Sequence, residues 1–178
     1  MQNPWDLLVA TLRRQPKLSR DAFEDLLDKL QTEEGRTAAR AAAICSGLTG
    51  LVDVSIYGGS AVCYFARRGD YDAAMRVADR VGLDSHADRI SEDVILSHVQ
   101  TIGYLVLTGD NLMARIQAFE AAHRYGEAIT LAKKQRLANA ELRLSEKAGE
   151  FSRASHLARR LGYAERAQVY HILAKILH

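Results

Sequence analysis

Gly69-Asp70-Tyr71-Asp72-Ala73-Ala74-Met75-Arg76-Val77-Ala78-Asp79-Arg80-Val81-Gly82 can be laid without a gap on Gly149-Glu150-Phe151-Ser152-Arg153-Ala154-Ser155-His156-Leu157-Ala158-Arg159-Arg160-Leu161-Gly162. Both read glycine, acid, aromatic, alanine three residues on, an aliphatic–alanine pair, an aliphatic and a closing glycine. Tyr125 to Ala132 repeats the central part, and Gly109-Asp110 with Ala114 and Ala118 is a weaker copy. Each piece has a physical task. The glycine ends a helix in a left-handed cap, the acid favours the next N-terminus, and the aromatic fills the space between the pair. The alanine lets two helix backbones approach. Two-helix units of this kind cannot bury their apolar faces alone, so they stack into a curved array.

Working outward, capping and breaking signals divide the rest of the chain into about ten short helices. Pro4 and Pro16 bracket the first, with Trp5, Leu8, Val9 and Leu12 on one stripe. Ser19 opens the second, which carries Phe23, Leu26, Leu27 and Leu30; the third runs from about Glu33 to Ser46. Val52, Val54 and Ile56 alternate like a strand, but an isolated strand would have no partner. The expectation is therefore a short helix ending at Gly58-Gly59, with Ser60 capping another over Ala61 to Arg68. Further helices are expected at Asp70 to Val81, Ser91 to Thr108, Asn111 to His123, Tyr125 to Arg136, Asn139 to Ala148, Phe151 to Leu161 and Tyr163 to Leu177.

The repeat resembles the tetratricopeptide and pentatricopeptide helical-repeat families. It does so over Tyr64 to Leu83 and Leu142 to Tyr163, in part over Arg124 to Arg136, and not over residues 1–50. Successive copies stand 54 and then 26 residues apart, not at the 34 or 35 of those families. The resemblance implies an all-α, right-handed α-solenoid of antiparallel helix hairpins. One domain would cover residues 1–178, with 1–48 as an N-terminal cap and 49–178 as repeat-like pairs. It also implies a ligand groove lined by the first helix of each pair, which places Arg136, Asn139, Arg143, Glu146 and Lys147 there. Arg67 is the cation of the earlier unit. Such a set resembles the basic-plus-asparagine clamp by which some tetratricopeptide proteins hold a peptide carboxylate. The expected function is a non-catalytic adaptor, scaffold or chaperone-like protein that grips a peptide or helix of another protein. The pentatricopeptide alternative is RNA binding; there Ser60 suits a base-reading position, whereas Ile90 and Ala140 do not.

Composition agrees with packed helices: of 178 residues, 48% are apolar, 7% are aromatic and only two are proline. Lys and Arg number 24 against 22 acids, a net charge of +2. Its distribution is uneven, because residues 115–178 hold 12 cations and 6 acids, giving +6, and residues 1–114 hold −4. A basic end of this kind suits an acidic partner. Cys45 and Cys63 lack metal or redox spacing and read as packing residues. The six histidines form no ligand pair, no GxSxG raises a nucleophile, and Gly58-Gly59-Ser60 is not followed by a phosphate-loop lysine. No catalytic residue, metal or cofactor is therefore expected. Neither a signal peptide nor a membrane span is read from the sequence, so a cytoplasmic location is expected. Trp5, Leu8 and Phe23 at one end, and Val169, Ile172, Leu173 and Ile176 at the other, form apolar end faces for capping or self-association.

Overall fold

The computed structural model describes residues 18–83, 87–108 and 111–177, and every regular element among them is helical. The order is α1 (Arg20–Leu27), α2 (Glu33–Cys45), a 3₁₀ turn (Thr49–Leu51), α3 (Val54–Arg67), α4 (Tyr71–Val81), α5 (Ala87–Thr108), α6 (Leu112–Ala121), α7 (Tyr125–Lys134), α8 (Ala138–Lys147), α9 (Phe151–Arg160) and α10 (Ala164–Leu177). The expected helix between Pro4 and Pro16, with Trp5 and Leu8, lies outside the described residues, as do Gly109 and Asp110.

Side chains cap the N-termini of five of these helices, α7, α8 and α9 start without one, and left-handed residues follow most of them. Ser19, Thr32, Asp53, Asp70 and Asn111 each accept a hydrogen bond from a first-turn amide of α1, α2, α3, α4 and α6 respectively. Gly69, Gly82, Gly149 and Gly162 all have φ between 72° and 81°, the caps expected of the repeat. Behind each, the next amide reaches back to the preceding helix, as from Glu150 N to Ser145 O at 2.9 Å and from Tyr163 N to Ala158 O at 2.8 Å.

One expectation is corrected. No helix ends at Gly58-Gly59, because α3 runs unbroken through both from its cap at Asp53. The Ser60 hydroxyl caps nothing and donates to Tyr57 O at 2.9 Å. Gly58 has a packing reason, since a Cβ there would stand 3.1 Å from the Val81 side chain; Gly59 faces open space.

Helices α6 to α10 begin at residues 112, 125, 138, 151 and 164, a period of thirteen residues per helix. The 26-residue spacing seen in the sequence is two such steps. Neighbours in the series pack consecutively, as do α2, α3 and α4, and α5 packs on α3, α4 and α6. The N-terminal hairpin then meets the far end of the chain, for α2 packs on α8 and α10. At that seam Glu146, fully buried, accepts from Gln31 N at 3.2 Å, Thr32 N at 2.7 Å, Thr32 Oγ1 at 2.6 Å and the Tyr170 hydroxyl. Gly35 makes room, since a Cβ there would lie 2.7 Å from Glu146 Cγ. Tyr64 OH donates to Lys147 O at 3.0 Å and Arg68 to Ala148 O at 3.0 Å, closing the same seam from α3.

Candidate functional site: a basic groove between α7 and α9

The contacts sort the helices of this series into those that meet α2 and those that do not. Here α8 and α10 face α2, and α7 and α9 make no comparable contact with it among the described residues. The buried stripe of α7 is Tyr125, Ala128, Ile129 and Ala132, and that of α9 is Phe151, Ala154, Ser155, Leu157 and Ala158. The remaining faces point outward, and both are cationic: Lys133 and Lys134 on α7, and Arg153, Arg159 and Arg160 on α9. Lys133-Lys134 and Arg159-Arg160 stand two thirteen-residue steps apart, so they occupy equivalent places in the array. Both pairs lie in a last turn, where positive charge complements the exposed carbonyls.

Between these helices lies a groove of about 610 Å³, walled by Lys133 and Arg136 on one side and by Arg153, His156 and Arg160 on the other. Ala138 and Leu157 supply apolar surface, and Glu141 is its one acid. Arg153 pairs with Glu150 at 2.7 Å; Lys133, Arg136 and Arg160 pair with no carboxylate among the described residues. Arg136 is held there by an uncommon backbone. It takes the left-handed position that Gly149 and Gly162 fill in the next two steps, with φ 57°. A non-glycine side chain costs about 1–2 kcal/mol in that conformation.

The expected site residues do not converge on one clamp. Arg136 lines the basic groove, and Asn139, exposed at the start of α8, has its Oδ1 3.3 Å from the Tyr163 hydroxyl. Arg143 and Lys147 meet around Glu120, at 2.9 Å from Arg143 Nη2 and 2.8 Å from Lys147 Nζ. Burial pushes the Glu120 carboxyl up, but the bonds to these two cations outweigh it and hold the group below its ordinary range. Glu146, expected in the groove, instead points into the core as the acceptor at the α2 N-terminus. The shift of one residue along α8 separates it from Lys147, because successive helix positions are rotated by about 100°.

Arg67 lines a second cleft of about 410 Å³, together with Glu34, Cys63, Tyr64, His123 and Tyr125. Among the described residues His123 is the other non-glycine residue in a left-handed cap, with φ 56°, and its Nδ1 lies 2.9 Å from the Tyr125 hydroxyl. Burial first, and the Arg67 charge second, lower the imidazole pKa, partly opposed by Glu34. Sequence reasoning missed Lys133, Arg153, His156 and Arg160 as groove residues because the tetratricopeptide register assigns the groove to the helix that Gly149 closes, α8, and not to α7 and α9. The thirteen-residue spacing would have placed them together.

No group of three or more histidine, cysteine or acidic side chains able to hold a metal occurs among the described residues. No described helix is long and apolar enough to cross a membrane. Comparison with known proteins finds no matching family model, no matching curated protein and no matching solved structure.

Proposed function

We propose that this chain is a non-catalytic adaptor that holds an acidic segment of a protein partner in the groove between α7 and α9. The observation that carries this reading is the groove itself, in which three cations without a carboxylate partner and two further basic side chains face a single acid. Exposed guanidinium groups favour carboxylates through charge-assisted and often bidentate bonds, and half-buried Ala138 adds apolar surface to the groove. A helical-hairpin stack of the tetratricopeptide kind supports an adaptor because such arrays present extended binding surfaces.

Fluorescence anisotropy tests the proposal with a labelled peptide of glutamates around one leucine anchor. Binding is expected to weaken as salt rises, and Arg160→Glu is expected to weaken it about tenfold, equivalent to about 1.4 kcal/mol. Equal binding by wild type and Arg160→Glu contradicts the reading. RNA binding is the second reading, favoured by the recurrence of the two dibasic pairs at equivalent positions. An oligouridine probe that binds while the peptide does not selects it.

A further inference from the structure

We propose that the acidic segment the groove takes is helix α1 of a second copy of this chain, so that molecules associate head to tail. This rests on the reading of the groove as an acid-binding surface. Helix α1 buries Phe23, Leu26 and Leu27 and turns Asp21, Asp25 and Asp28 to solvent. None of these three aspartates pairs with a cation among the described residues. Their spacing is four residues and then three. On α9, counting back from Arg160, His156 is four residues away and Arg153 three further.

With about 1.5 Å of rise per residue, each helix carries its groups at about 0, 6 and 10.5 Å along its axis. An antiparallel approach therefore faces Asp21 with Arg160, Asp25 with His156 and Asp28 with Arg153. A parallel approach leaves the middle pair offset by about 1.5 Å. Arg153 must exchange its bond to Glu150, an exposed pair whose loss costs little. Lys133 and Arg136 on the opposite wall add positive charge against the incoming helix.

The match can be made only between copies. Helix α1 packs on the 3₁₀ turn and makes no comparable contact with α7 or α9, while its neighbour α2 lies on the α8 and α10 side. Two different surfaces meet, so the contact is heterologous and each added copy leaves one helix and one groove free. The charge asymmetry of the chain, −4 over residues 1–114 and +6 over residues 115–178, steers such an encounter at low salt.

Sedimentation of the full chain tests this. Weight-average mass is expected to climb with concentration at about 20 mM salt and to return to the monomer at about 500 mM, where screening acts within about 5 Å. Two variants isolate the surfaces: Asp21→Asn/Asp25→Asn/Asp28→Asn, and Arg153→Gln/Arg160→Gln. Circular dichroism checks that each is folded. Each alone is expected to remain monomeric, and an equimolar mixture is expected to form a heterodimer and stop, because one intact helix and one intact groove remain. A wild-type chain that stays monomeric at low salt, an assembly that persists at high salt, or a mixture that does not dimerise overturns the proposal. If the monomeric chain still binds the glutamate peptide, the groove reading stands and only its occupant is wrong.

Discussion

Arg136 and His123 hold backbone angles that the equivalent positions two steps later give to Gly162 and Gly149. Both side chains line cavities, so the strain coincides with the surfaces available for recognition. Arg136→Gly is expected to stabilise the fold by about 0.5–1 kcal/mol in urea denaturation while weakening the glutamate peptide. The same gain in stability with unchanged binding would show that Arg136 is only a cap. Glu146 is the opposite case, a polar group with an entirely internal task. Glu146→Ala leaves the Thr32 amide and hydroxyl and the Tyr170 hydroxyl without their acceptor, and a cost of about 2–4 kcal/mol is expected in the same assay. The low imidazole pKa of His123 carries a pH dependence. The unfolded chain binds a proton that the folded chain resists, so this contribution is intact above about pH 6.5 and is lost as pH falls through the lowered folded value. Denaturation between about pH 7.5 and about pH 5.5 should show a smaller decline for His123→Asn, which tolerates the left-handed angle, than for wild type.

At the scale of the element, the fold turns on a thirteen-residue module: a ten-residue helix and a three-residue link closed by a left-handed cap. Much of it was legible, because glycine, acid, aromatic and alanine each mark a fixed place in the module. The pairing of Gly69–Gly82 with Gly149–Gly162 located four caps, and the helix boundaries from Tyr125 onward fall within about two residues of those expected. The period was hidden where Arg136 and His123 replace the cap glycine. Glycine misled at Gly58-Gly59, since a helix absorbs such residues when tertiary packing holds it. Gly59→Ala should therefore raise thermal stability by about 0.5–1 kcal/mol, and Gly58→Ala should gain nothing because its Cβ meets Val81. A gain at both positions would mean that Val81 moves aside freely.

Over the whole molecule, contacts between α2 and the α8–α10 end tie distant parts of the sequence together, which no local pattern announced. Glu146 looked like a surface acid among Arg143 and Lys147; only the arrival of residues 31 and 32 from the opposite end explains its burial. The same seam assigns the sides of the array. With α8 and α10 against α2, the cations of α7 and α9 are left outward, and the candidate site is a consequence of that assignment. The direct measurement is a map of backbone amide chemical shifts in the Asp21→Asn/Asp25→Asn/Asp28→Asn variant, whose groove no second copy fills, recorded while the glutamate–leucine peptide is added at low salt. The expected changes centre on Lys133, Arg136, Arg153, Leu157 and Arg160, and fade as salt is raised. Changes centred instead on the cleft of Arg67 and His123, or no changes at all, would contradict the account.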